Sequence, residues 1–150
     1  MRRVLAAREV TGADRFSESN SIGRASLFPL ERDLLEAIVG QALGGNEMWR
    51  RQIGHLQVRS RSFSGKACLS RFLLADPTLV VMPFIANEVV SGWIRTELPG
   101  ASTGLRHVLH LERGVMAVLE THAEDGDLPA EIAQYRLLDD RGGGRGARGG

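Results

Sequence analysis

Only one cysteine, Cys68, occurs among the 150 residues, so no disulfide can form within the chain and no all-cysteine metal site can be built from it. A reducing, cytoplasmic setting is the expectation that follows. Aromatic side chains are scarce at 5%, which makes the expected core aliphatic. An excess of one sign of charge is missing too: nineteen basic and eighteen acidic residues leave a formal charge of +1. That near-balance excludes a strong overall field toward nucleic acid or anionic lipid and leaves any electrostatic partner to a local patch. There is no long hydrophobic run. The longest, Leu79 to Ala86, is interrupted by Pro83 and falls far short of the roughly 20 residues of a membrane span. The opening stretch reaches Arg8 and Glu9 before an apolar segment develops, so it reads poorly as a secretory signal. No membrane partner is expected.

What is present is the composition of a soluble globular domain, with 43% hydrophobic and 25% charged residues. A chain of this length suits one domain that buries about two-thirds of its unfolded surface. Residues 1–26 mix Arg, Ser, Gly and Asp without a sustained period and read as a flexible N-terminal arm. Residues 27–138 read as a single α+β domain. Residues 139–150 end in an Arg/Gly run with no large apolar side chain and read as a disordered tail.

Within the domain, Leu30, Leu34, Leu35, Ile38, Val39 and Ala42 recur at helical spacing, with Pro29 placed for the first turn and Gly44-Gly45 for the stop. Asn46 is suited to cap a second, short helix through Met48, Trp49 and Ile53. From His55 the period becomes two. Leu56 and Val58 lead through a Ser64-Gly65-Lys66 turn to Cys68–Leu74, and further extended runs are expected at Thr78–Met82 and Val89–Glu97. The clearest hairpin runs from Leu105 to His122 and turns at Arg113-Gly114. Pro129 suggests a last short helix through Ile132. A helix followed by consecutive strands predicts an N-terminal helix packed on one face of an antiparallel sheet of about four to six strands.

The hairpin Leu105-Arg106-His107-Val108-Leu109-His110-Leu111, its turn Glu112-Arg113-Gly114, the Leu119-Glu120 pair and the Asp125-Gly126-Asp127-Leu128-Pro129 exit resemble the C-terminal half of a family of small uncharacterised bacterial proteins. A weaker resemblance covers Leu30 to Leu43, Trp49 to Val58 and Gly65 to Cys68. Members with a denser cysteine cluster at that last point differ from this chain, which keeps Cys68 alone. The resemblance implies an α+β fold; the family has no assigned activity, so it implies no chemistry.

Candidate chemistry is thin. His107 and His110 are three apart on a strand and point to opposite faces. A two-residue turn at Arg113-Gly114 would set His107 opposite Glu120, a polar pair that more often supports a sheet than catalyses. A metal site from Cys68, His55, His107, His110 and His122 would need several strands to converge, and no ligand pair has zinc-site spacing. Cys68, between Ala67 and Leu69, reads as a small core residue rather than a nucleophile. Ser64-Gly65-Lys66-Ala67 lacks the earlier glycine and the hydroxyl that a phosphate loop needs, since Ser60 and Ala67 stand in those places. No catalytic constellation, cofactor motif or metal motif is found.

Two binding readings remain. Arg50, Arg51, Arg59, Arg61 and Lys66, with His55 among them and no acidic residue between, would suit weak, sequence-tolerant nucleic-acid binding together with the Arg/Gly tail. On this reading Arg59 and Arg61 share a face with Phe63; the bland alternative is a charged edge strand that guards against unwanted pairing. Trp93 and Ile94 would leave one bulky apolar side chain on each face of their strand, one of them open to a protein partner or a second copy. The leading expectation is a non-enzymatic protein-interaction module.

Overall fold

The computed structural model describes residues 3–17, 21–81, 87–90, 93–101 and 103–141. Its first half runs β1 (Arg3–Glu9), β2 (Phe16–Ser17), β3 (Ser21–Ala25), α1 (Pro29–Ala42), α2 (Glu47–Ile53), β4 (Leu56–Phe63) and β5 (Ala67–Leu74). Among the described residues, a 3-10 turn at Pro77–Leu79 is then followed by strands: β6 (Glu88–Val90), β7 (Ile94–Glu97), β8 (Gly104–Glu112), β9 (Val115–Ala123), β10 (Glu131–Ile132) and β11 (Gln134–Asp139). Every pairing is antiparallel. The order β1-β11-β7-β8-β9-β5-β4-β3, with β6 beside the far half of β8, makes a nine-stranded sheet, while β10 and β2 form a separate ribbon. The α+β class stands, and the sheet is larger than the four to six strands expected.

The extra strands come from both ends of the domain. Part of the segment expected as a flexible arm forms β1, which pairs with β11 from Arg3↔Asp139 to Glu9↔Gln134, and β3, which pairs with β4. Both are edge strands. The exposed pattern along β1 shows why no period was visible: main-chain bonds to β11 hold it, so its side chains need no apolar alternation. The helix expected after Pro129 is instead strand, with β10 meeting β2 and β11 lying between β1 and β7. Asp139 ends β11 and the Asp140 amide donates to the Trp93 carbonyl at 2.8 Å, so the first residues of the expected tail belong to the fold. Residues 142–150 lie outside the described residues.

α1 follows the predicted pattern. Leu30, Leu34, Leu35, Ile38 and Val39 are buried, each contributing roughly 1.5–3 kcal/mol. Glu31 closes the first turn by accepting the Phe28 amide at 2.8 Å. In α2, Asn46 caps through its side chain to the Met48 amide at 2.7 Å, as expected from its position. The β8–β9 turn is also where the sequence placed it, with φ of 52° at Arg113 and 80° at Gly114. A side chain at Gly114 would meet the Val81 carbonyl oxygen at 2.4 Å, so the turn needs glycine for space as well as for φ.

α2 is pinned to that turn by Gln52, which is fully buried. Its Nε2 donates to the carbonyls of Leu79 and Gly114, each at 3.0 Å, and its Oε1 accepts the Met116 amide at 2.7 Å. Gln52→Leu keeps the volume but orphans a buried amide and a carbonyl, so it is expected to cost about 1–3 kcal/mol, read as a lowered urea midpoint.

Candidate functional site

A polar row crosses the face of the sheet that α1 covers. Register alignment places Phe63, Cys68, Thr121 and His107 side by side on β4, β5, β9 and β8, and Arg61 and Ser70 form the next pair along. Glu31, from the first turn of α1, reaches into this row. Its carboxylate accepts Arg61 Nε at 2.9 Å, Arg61 Nη2 at 2.6 Å and Ser70 Oγ at 2.6 Å. The side chains of Arg61 and Glu31 keep only 6% and 1% of their exposure. The guanidinium also donates to the Ser26 carbonyl at 3.2 Å and lies 4.0 Å from the Phe28 ring centroid. Every strong acceptor position of Glu31 is engaged, so this pair locks the helix to the sheet.

At the other end of the row His107 is 3% exposed and bridges Thr96 Oγ1 at 2.7 Å and Thr121 Oγ1 at 3.1 Å. A neutral imidazole has one donor and one acceptor, and two hydroxyls can match either tautomer. Burial first, then the charges of His122 and Arg106, pushes the His107 pKa down to about 3, with Glu124 opposing. Between the two ends sits Cys68, fully buried and 3.9 Å from Ser70 Oγ; burial pushes its thiol up to about 11. A thiol so protonated is a core residue, in line with its sequence reading.

The opposite face carries its own charged cluster. Glu120 accepts from His110 Nε2 and, at 2.8 Å, from His122 Nε2; the His110 bond is the main cause holding its carboxyl below the usual range, against the opposing effect of burial. One register row over, Arg95 binds Glu124 through Nε and Nη2, Arg106 Nε meets the same carboxylate at 2.8 Å, and Arg106 Nη2 reaches Asp140 at 2.9 Å. Half-buried Leu69, Val108 and Val118 lie among these charges, and Val89, paired with His110, is 62% exposed.

The expected His107–Glu120 pair does not form. A bulge at Ala117 shifts the hairpin so that His110 meets Val118 rather than Ala117, which moves His107 opposite Thr121 and gives Glu120 to His110 and His122. A second bulge at Arg59 separates it from Arg61: Arg59 is exposed while Arg61 turns inward to Glu31. Arg50 is engaged with Glu36 at 2.9 Å, and Arg51 and Lys66 are exposed. The five cations therefore do not share a face. Of the two apolar candidates, Ile94 is buried in the core and Trp93 is 57% exposed. Among the described residues, no group of three or more His, Cys, Asp or Glu is placed to hold a metal ion, and no helix is long and apolar enough to cross a membrane. The residues missed by sequence reasoning are Glu31, Gln52, Thr96 and Thr121, whose roles depend on partners brought from distant elements, which no local pattern encodes.

No protein-family model, curated protein or solved structure matches the chain.

Proposed function

We propose that the protein is a non-enzymatic module that binds another protein chain through the sheet face turned away from α1. The observation that carries this reading is the exposure of two large apolar side chains near that face, Val89 at 62% and Trp93 at 57%, beside a mixed band of Leu69, Val108, Val118 and paired charges. An aromatic anchor with arginines around it has the make-up of an interface centre and rim. The chemistry-bearing groups on the other face support it as well, since His107 has both ring nitrogens engaged inside the core and Cys68 is inaccessible. Sedimentation across a concentration series, with affinity capture at low salt after nuclease treatment, tests the proposal. A complex formed with itself or with a defined protein, weakened by Trp93→Ala and Val89→Ser but not by Met48→Ser, supports it. Complexes indifferent to Trp93 and Val89 overturn it.

A second reading, sequence-tolerant nucleic-acid binding, retains Arg51, Arg59 and Lys66 and gains Arg71. Arg71 lies opposite the Arg59 bulge, both side chains are exposed, and neither has a carboxylate partner among the described residues. Affinity for single strands that survives high salt, or that is unchanged by Arg59→Ser with Arg71→Ser, rules against it.

A further inference from the structure

β5, β9 and β8 are neighbours in the middle of the sheet, and on the face turned away from α1 they hold one carboxylate between two imidazoles. Glu120 Oε2 accepts from His110 Nε2, and Glu120 Oε1 accepts from His122 Nε2 at 2.8 Å, so the three side chains form one connected cluster. All three are partly exposed. Register sets them among the apolar residues of this face: Glu120 lies between Leu69 and Val108, and His110 between Val89 and Val118. His122 has Ala67 on one side and Arg106 on the other. The charges around the cluster are close to balanced. Arg95 and Arg106 are met by Glu124 and Asp140, and farther out Arg136 is met by Glu97. Arg71 beside Val118, Lys66 in the turn before β5 and Glu112 at the end of β8 are exposed, two cations against one carboxylate. Through the sheet, His107 is buried with its pKa held near 3, so it stays neutral.

One carboxylate can compensate one imidazolium and no more. The cluster therefore carries a charge of −1 with both imidazoles neutral, 0 with one protonated and +1 with both, and its two protons bind in coupled steps. The bonds from His110 and His122 hold the Glu120 carboxyl below the usual range against the opposing effect of burial, so it stays ionised while histidines titrate. Anything that covers this face strips water from the cluster, and the state without net charge is the cheapest to strip. A second copy adds a further demand. A two-fold interface brings the same patch of both chains together, so a charged cluster meets its like, whereas the balanced ion pairs around it present no large repulsion. Resting on the reading of this face as a protein-binding surface, we propose that its occupant is a second copy of this chain, and that docking is tightest when the His110–Glu120–His122 cluster holds a single imidazolium. Affinity then passes through a maximum within the histidine range. It falls on both sides, and more steeply toward acid, where the surplus cation adds to the repulsion.

The test is sedimentation equilibrium of the full chain at constant ionic strength, across the range of about pH 5 to 8 in which histidine changes charge. The parent is expected to show its lowest dimer dissociation constant inside that range, rising about tenfold toward either end, the scale set by one uncompensated charge per copy. Two variants remove one limb each, in opposite directions. Glu120→Gln takes the cluster from 0 to +2, so its dimer is expected to be tightest at the alkaline end and to weaken steadily with acid. His122→Gln limits the cluster to −1 and 0, so its dimer is expected to tighten with acid and then level off. Val89→Ser, next to His110, is expected to weaken the dimer about tenfold at every pH and to leave the maximum where it is. A parent profile without a maximum, or the same profile in Glu120→Gln and His122→Gln, overturns the role of the cluster. A chain that is monomeric at every pH overturns the whole inference; capture of a different protein through Trp93 and Val89 would then leave the protein-binding reading standing, and a dimer indifferent to Val89 and Trp93 would overturn both.

Discussion

Arg61→Met is expected to remove about 3–5 kcal/mol of folding stability, a large share of the total for a domain of this size. The cost comes from the carboxylate left behind. Glu31 is 1% exposed, and without the guanidinium it retains only the Phe28 amide and the Ser70 hydroxyl. Water cannot replace what Arg61 supplied, so the charge must be neutralised or the helix start must open. The arginine's packing over Phe28 is lost in the same step. Arg50→Ala is the internal contrast: its pair with Glu36 leaves the side chains 40% and 42% exposed, and its loss is expected to cost under about 1 kcal/mol. The double variant Glu31→Leu with Arg61→Met removes both charges from the core, and it is expected to be more stable than Arg61→Met alone. Urea unfolding followed by Trp49 and Trp93 fluorescence measures the parent chain, these three variants and Glu31→Leu alone. If the two single losses simply add in the double variant, the buried pair is not what holds α1 to the sheet.

That contrast also shows what could be read in advance. Arg50 and Arg61 look alike in the sequence, two members of one basic run. Burial and pairing separate them, and both depend on a partner elsewhere in the chain: Glu36 is fourteen residues from Arg50, while Glu31 is thirty from Arg61. Elements with a local signal were legible. α1 was marked by its leucine spacing, Pro29 and the glycine pair, α2 by Asn46, and the β4–β5 and β8–β9 hairpins by alternation and turn residues. Elements held mainly by a neighbour were not. β1 and β3 are edge strands, β1 has no buried stripe, and β11 sits close behind the Pro129 segment, where a turn signal suggested helix instead.

The candidate sites failed for a finer reason. A strand's side chains change face when its register slips by one, and two single-residue bulges, at Arg59 and Ala117, do this here. One split Arg59 from Arg61 and the other split His107 from Glu120. Neither bulge is marked by glycine or proline.

The bulge at Ala117 sets up the second large effect, an acid sensitivity that belongs to His107. Placed between Thr96 and Thr121 and sealed from water, its imidazole holds a pKa near 3, against a value of about 6.5 in the unfolded chain. A depressed folded-state value means that the unfolded chain binds the proton first. The stabilising contribution is therefore complete above the unfolded pKa and is lost as the pH falls through the interval between the two values, at up to about 1.4 kcal/mol per pH unit. Glu120 and Glu124 also have lowered values, from their bonds to His110 and Arg95, but unfolded carboxylates take up few protons above about pH 5.3, one unit over their ordinary value. The window between about pH 6.5 and 5.3 thus isolates histidine. Urea unfolding across that window is expected to show stability falling steadily in the parent chain and less steeply in His107→Gln, which keeps a donor and an acceptor for the two threonines and has nothing to titrate. The slope is the readout, so a lower starting stability in the variant does not obscure the comparison. A parent and a variant with equal slopes would mean that His107 takes up its proton within the fold, and that the core on the α1 side of the sheet opens to water at this point.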